Sequence, residues 1–123
     1  MELSEMSSDD RIIPRAYIIE GLRLVGDFWT IIIVHRLREG PQRFSDIQRG
    51  VDGLNPVTLT SRLRLLMEQG MVERRKEPGK KAVAYALTAK GGDLLPILDE
   101  MWKFGSKHFD ADAWSRRQRP PST

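Results

Sequence analysis

Between Phe44 and Thr88 a short helix, a tight turn, a longer helix with an unmistakable start and a basic hairpin follow one another, and this succession admits few folds other than a winged helix-turn-helix. The strongest local signal is Asn55-Pro56, a side chain suited to capping followed by a proline at the first helical position. That helix is expected to run to Gln69 and stop at Gly70, with Leu59, Leu63 and Leu66 as its buried stripe. Before it, Gln42-Arg43-Phe44 reads as a small edge strand and Ser45 as the cap of a brief helix from Asp46 to about Gly50. Val51-Asp52-Gly53-Leu54 supplies the turn. After it, Met71 to Glu77 and Ala82 to Leu87 alternate as strands around Pro78-Gly79-Lys80-Lys81.

The face opposite the leucine stripe suits duplex DNA. At about 100° per residue, Val57, Ser61, Arg64, Leu65 and Glu68 point outward, with Thr58, Thr60 and Arg62 on the flanks. Small residues let a helix enter a major groove, hydroxyls bond donors or acceptors, and arginine pairs bidentately with guanine. From Arg62 to Lys81 seven bases stand against three acids, whereas the first ten residues hold four acids and no base. The expected contacts to bases or phosphates are Arg43, Asn55, Val57, Thr58, Thr60, Ser61, Arg62, Arg64, Lys80 and Lys81. Arg74, Arg75 and Lys76 cannot all face one way, because successive strand residues alternate.

Flanking segments add helices. Ile18, Leu22 and Val25 share one face after Pro14, and Asp27 is a cap for a helix carrying Trp29, Ile32, Ile33 and Leu37 that ends at Gly40-Pro41. The isoleucine run alone also suits a strand; the caps favour helix. Thr88 caps a last helix reaching Phe109, bent at Pro96. Its apolar residues from Leu94 to Phe104 cover a wider arc than one contact needs, which suggests a second copy of the chain as partner. Tyr17, Ile19, Leu95, Leu98, Met101 and Trp102 are the expected dimer seam. Phe28, Trp29, Met101 and Trp102 are a candidate pocket for a small-molecule effector. The domain plan is a flexible arm over 1–12, a winged helix-turn-helix with dimerisation helices over 13–109, and a disordered basic tail over 110–123.

Several classes are excluded or disfavoured. The chain has 123 residues, 40% hydrophobic and 30% charged, in the range of one soluble globular domain. Ile31-Ile32-Ile33-Val34 is far too short to span a bilayer, and the acidic first residues form no secretory signal, so a cytoplasmic protein is expected. There is no cysteine, hence no thiolate metal site, disulfide or thiol nucleophile. His35 and His108 stand alone, and no metal spacing, cofactor loop or catalytic constellation accompanies them. A net charge of +3 is low for a nucleic-acid binder, so a winged-helix protein-interaction module without DNA binding is the alternative.

The succession Gly26-Asp27-Phe28-Trp29-Thr30, Gly40-Pro41-Gln42-Arg43-Phe44, Leu59-Thr60-Ser61-Arg62-Leu63, Gly70-Met71-Val72-Glu73-Arg74, Tyr85-Ala86-Leu87-Thr88 and Leu94-Leu95-Pro96-Ile97-Leu98 resembles the HxlR-type bacterial transcriptional regulators, over roughly residues 15–107. The resemblance implies a homodimer related to the MarR type, paired through its first and last helices. Each copy would place a recognition helix in half of a near-palindromic operator. Many relatives carry a Cys-Pro pair ahead of the tryptophan, and some sense oxidants or electrophiles with that cysteine. Here the positions read Ala16-Tyr17, and the frequent lysine before the tryptophan is Phe28. Sensing by cysteine oxidation is therefore closed to these residues.

Overall fold

The computed structural model describes residues 14–76, 78–79 and 82–118. The arm assigned to 1–12 lies outside them, as do Lys80, Lys81 and the last five residues of the tail. The elements are α1 (Arg15–Val25), α2 (Phe28–Arg36) continued by a 3-10 turn (Leu37–Glu39), β1 (Gln42–Arg43), α3 (Phe44–Gly50), α4 (Pro56–Glu68), β2 (Val72–Lys76), β3 (Val83–Leu87), α5 (Ala89–Gly92), α6 (Leu95–His108) and α7 (Ala111–Gln118). The three strands form an antiparallel sheet in the order β1-β3-β2. This is the winged helix-turn-helix expected from the sequence: mainly helical, with a small β-wing.

One core holds the helices and the wing together. Ile33, Val34 and Leu37 meet Ile47 of α3, Leu59, Leu63 and Leu66 of α4, Val72 of β2, and Leu94 and Leu98 at the start of α6. Leu59 and Leu66 are wholly buried, and each such side chain contributes about 1.5–3 kcal/mol on leaving water. Both ends of α4 are closed by local chemistry. Asn55 Oδ1 accepts from Thr58 N at 2.8 Å, as the Asn-Pro signal predicts. At the other end Gly70 N donates to Met67 O and Met71 N to Leu66 O, at 3.0 and 2.8 Å, the paired bonds of a Schellman motif. That motif needs a left-handed residue, and Gly70 has φ 72°. Two remaining carbonyls are met by the chain beyond the wing: Thr88 Oγ1 donates to Gly70 O at 2.6 Å and Lys90 Nζ to Gln69 O at 2.7 Å. The wing is thus tied to the C-terminal end of α4.

Four details differ from the sequence reading. Helix α3 starts at Phe44 rather than being capped by Ser45, because β1 runs straight into it and Arg43 stands at the cap position without capping the helix through its side chain. The helix after Thr88 is two helices. Thr88 does cap, accepting from Gly91 N at 3.1 Å, but α5 lasts four residues, and Pro96 sits in the first turn of α6, where its missing N–H is not needed. Gly91 cannot change: a Cβ there would lie 2.0 Å from Met71 O. In place of a disordered tail from 110, residues 111–118 form α7, whose first amides at Asp112 and Ala113 donate to Asp110 Oδ1.

The fourth difference concerns the expected dimer seam. Leu98 is buried in the chain's own core and is not an exposed contact, while Leu95 is half-buried against that core. Their assignment followed from apolarity alone, which does not say which face of α6 meets the core. Tyr17, Ile19, Met101 and Trp102 are exposed, and α1 buries no residue. Among the described residues no helix is long and apolar enough to cross a membrane.

Candidate nucleic-acid interface

Helix α4 lies on the core through its leucine stripe, and its first two turns project the opposite side outward. Val57, Thr60, Ser61 and Arg64 are exposed, Val57 by 79%, and Thr58 is half-buried. Leu65, read as outward-facing, is half-buried as well. The surface near the helix start is therefore small, hydroxyl-bearing and singly basic, a shape and chemistry that fit a major groove. Asn55 Oδ1 is committed to capping.

Arg62 does not share this free surface. Its Nε donates to Asp27 Oδ2 at 2.8 Å and its Nη2 to Asp27 Oδ1 at 3.2 Å, a two-pronged ion pair between side chains that are each about 30% exposed. Asp27 is also the cap of α2, accepting from Thr30 N at 2.9 Å and Thr30 Oγ1 at 2.7 Å. The Arg62 hydrogen bond, helped by those from Thr30 against the opposing effect of burial, lowers the Asp27 carboxyl to about 2. The same contact raises the Arg62 guanidinium above its ordinary value. Sequence alone identifies the cap but not the partner: Asp27 and Arg62 are 35 residues apart, and only the packing of α2 on α4 brings them together.

The wing sorts its bases by face. In the register Arg43 stands beside Ala84, which stands beside Arg75, while Arg74 faces Tyr85 and Lys76 faces Val83. Arg75 is therefore on the other side of the sheet from Arg74 and Lys76, as strand alternation requires. Arg75 Nε donates to Glu73 Oε1 at 2.6 Å, so its charge is partly answered. Arg74 and Lys76 are exposed, and Arg43 is half-buried. The turn that carries Gly79 joins the strands; its two lysines lie outside the described residues.

Of the residues proposed as an effector pocket, Phe28 and Trp29 are not among those lining the groove that holds Met101 and Trp102. Phe28 and Trp29 stack edge-to-face at 5.1 Å, and Trp29 reaches toward the turn at Gly53. Met101 and Trp102 instead line a groove of about 510 Å³ with Ile31, Ile32 and His35, at whose rim Arg38 pairs with Asp99 at 2.5 Å. The sequence reading missed this groove because α2 meets α6 through residues distant in the chain.

The geometry has close counterparts. The family model described as HxlR-like helix-turn-helix matches residues 24–113. An uncharacterised HTH-type transcriptional regulator of Halalkalibacterium halodurans is 38% identical over 89 residues, covering 71% of this chain and 79% of the relative. Among solved structures, the reduced form of the transcriptional regulator YodB from Bacillus subtilis superposes with a TM-score of 0.71 at 29% identity, covering 78% of this chain and 95% of that one. The redox regulator HypR in its oxidised form gives a TM-score of 0.68 at 28% identity, covering 76% and 98%.

Proposed function

The chain belongs to the HxlR-like helix-turn-helix family of transcriptional regulators, and from that premise we propose that it binds a near-palindromic operator as a homodimer, reading bases with the exposed start of α4. The observation that carries this reading is the outer face of α4. It is free of bulky apolar side chains from Thr58 to Arg64, held in place by a wholly buried leucine stripe, and flanked by a basic wing. Val57, Thr58, Thr60, Ser61 and Arg64 are the base-reading set. Arg43, Arg74, Lys76, Lys80 and Lys81 grip the backbone, which makes binding salt-dependent without adding sequence information.

Dimerisation has its own support. Tyr17, Ile18 and Leu22 on α1, and Ile97, Met101, Trp102 and Phe104 on α6, are large apolar side chains left exposed on two helices. An apolar surface of this size is a partner surface, and two copies related by a twofold axis would present two recognition helices to two half-sites. The regulator named redox-responsive among the structural neighbours is HypR; the present sequence has no cysteine, so its response does not run through a thiol within these residues. The groove between α2 and α6 is the effector site this reading nominates, and the cytoplasm is its place of action. A band-shift titration on the region upstream of the protein's own operon tests the assignment. Binding should weaken in Arg64→Ala and in Lys80→Ala/Lys81→Ala, and unchanged affinity in both would refute it.

A further inference from the structure

Ser61 and Arg62 are neighbours in sequence with opposite fates: one hydroxyl faces out, and one guanidinium is turned back into the domain. They are nevertheless bonded, since Arg62 Nη1 donates to Ser61 Oγ at 2.9 Å. The guanidinium is planar, and its Nε and Nη2 are both engaged by the Asp27 carboxylate, so the direction of Nη1 is not free. The carboxylate in turn is held by the Thr30 amide and hydroxyl, and Thr30 is 1% exposed. A continuous chain of bonds therefore runs from a buried residue of α2 through Asp27 and Arg62 to the surface of α4.

This has a consequence for what Ser61 can recognise. An unconstrained serine hydroxyl both donates and accepts, and so meets any base edge. Here one of the oxygen's two lone pairs is taken by the Arg62 cation, which draws electron density from the oxygen, weakens the second lone pair and strengthens the O–H. That O–H donates to nothing among the described residues. We infer that the Thr30–Asp27–Arg62 chain biases Ser61 toward hydrogen-bond donation, so that Ser61 prefers an acceptor on a base edge and discriminates against cytosine at its position. The inference rests on the proposed DNA-reading role of α4. In the major groove guanine offers N7 and O6, adenine N7 and thymine O4, whereas cytosine offers only its amino donor. Arg62 is on this account a positioning residue, not a phosphate ligand, despite lying in the most basic stretch of the sequence.

Selection of duplexes from a random pool, with the full chain and its variants, tests this. The wild type should disfavour cytosine roughly tenfold at one position of each half-site. Ser61→Ala, an exposed substitution that leaves the fold intact, should erase that preference while the rest of the site stays. Arg62→Lys keeps the charge but not the fork, so it should admit cytosine, and adding Ser61→Ala to it should relax nothing further. In Arg62→Met the slope of log affinity against log salt should match the wild type, because no phosphate contact is lost; a slope smaller by about one would make Arg62 a phosphate ligand and overturn the inference. An even loss of affinity across all sequences in Ser61→Ala would overturn it too, as would intact exclusion of cytosine in Arg62→Lys. A wild-type protein that enriches no sequence would instead refute the DNA-reading role itself, which separates the two failures.

Discussion

Helices α4 and α6 are nearly equal in length, 13 and 14 residues, and both carry an apolar stripe, yet they end in opposite relations to water. In α4 the stripe is spent entirely on the core, with Leu59, Leu63 and Leu66 at most 2% exposed, and apart from Val57 and the half-buried Leu65 the outer surface is largely polar. In α6 only Leu98 is buried, while Trp102 is 72% and Phe104 60% exposed. The difference separates two kinds of incompleteness. A solvated polar face is stable alone and available to a polar ligand such as a nucleic acid. An exposed apolar face is the kind of surface that partner proteins cover. The two partners proposed above, an operator and a second copy, would thus meet different helices.

The comparison breaks most readily at the core side of α4. Leu63→Ala should lower stability by about 2–5 kcal/mol, whereas Ile97→Ala on the open face of α6 should change the monomer by no more than about 0.5 kcal/mol. Urea denaturation of both variants at a concentration low enough to keep the chains apart measures the gap. Equal losses would mean that the two helices are packed alike.

Next comes the partner face. Trp102→Glu should weaken self-association by about 2 kcal/mol, or some thirtyfold, with secondary structure retained. Sedimentation velocity over a concentration series is the measurement, and an unchanged mass would remove α6 from the seam. On the polar face, Arg64→Ala should cost about 1–3 kcal/mol in operator affinity and relax preference at one position. The double change Lys80→Ala/Lys81→Ala should lower affinity evenly over all sequences and reduce the salt slope by about one per lysine. Anisotropy titrations at several salt concentrations separate these two signatures.

The smallest effect concerns the link between α2 and α4. The Asp27 carboxyl, at about 2 against an ordinary 3.8, has a depressed folded-state value, so its stabilisation is fully present above 3.8 and is lost as pH falls toward 2. With solvent screening of a side chain that is 30% exposed, the contribution is about 1 kcal/mol. Stability measured from pH 5 downward should fall less steeply in Asp27→Asn than in the wild type, as thermal melts would register. Parallel curves would show that the pair contributes nothing to folding.

The sequence carried the local parts of this account well and the long-range parts poorly, for a physical reason. Caps, turns and stripes are written in neighbouring residues, so Asn55-Pro56, Gly70, the cap at Asp27 and the buried leucines of α4 were all legible. Strand alternation likewise told that Arg74 and Arg75 would separate. What could not be read depends on how elements meet. Leu98 and Trp102 are equally apolar and lie on one helix, and only the packing of α6 on α2 makes one core and the other surface. Arg62 and Arg64 are the same residue type two positions apart, and only the approach of Asp27 withdraws the first from the exposed face. The break before Pro96 and the helix at 111–118 turned on which of two local signals prevails, a choice settled by backbone bonds rather than by composition.

The central claim is that the exposed start of α4 reads duplex sequence. Fluorescence anisotropy of the full chain on a duplex enriched from a random pool, against a scrambled duplex of the same composition, tests it directly when repeated with Arg64→Ala. Binding to the enriched duplex should be tighter, both complexes should weaken as salt rises, and the gap between the two duplexes should shrink roughly tenfold or more in the variant. Equal affinity for the two duplexes, or a gap that Arg64→Ala leaves unchanged, would contradict it.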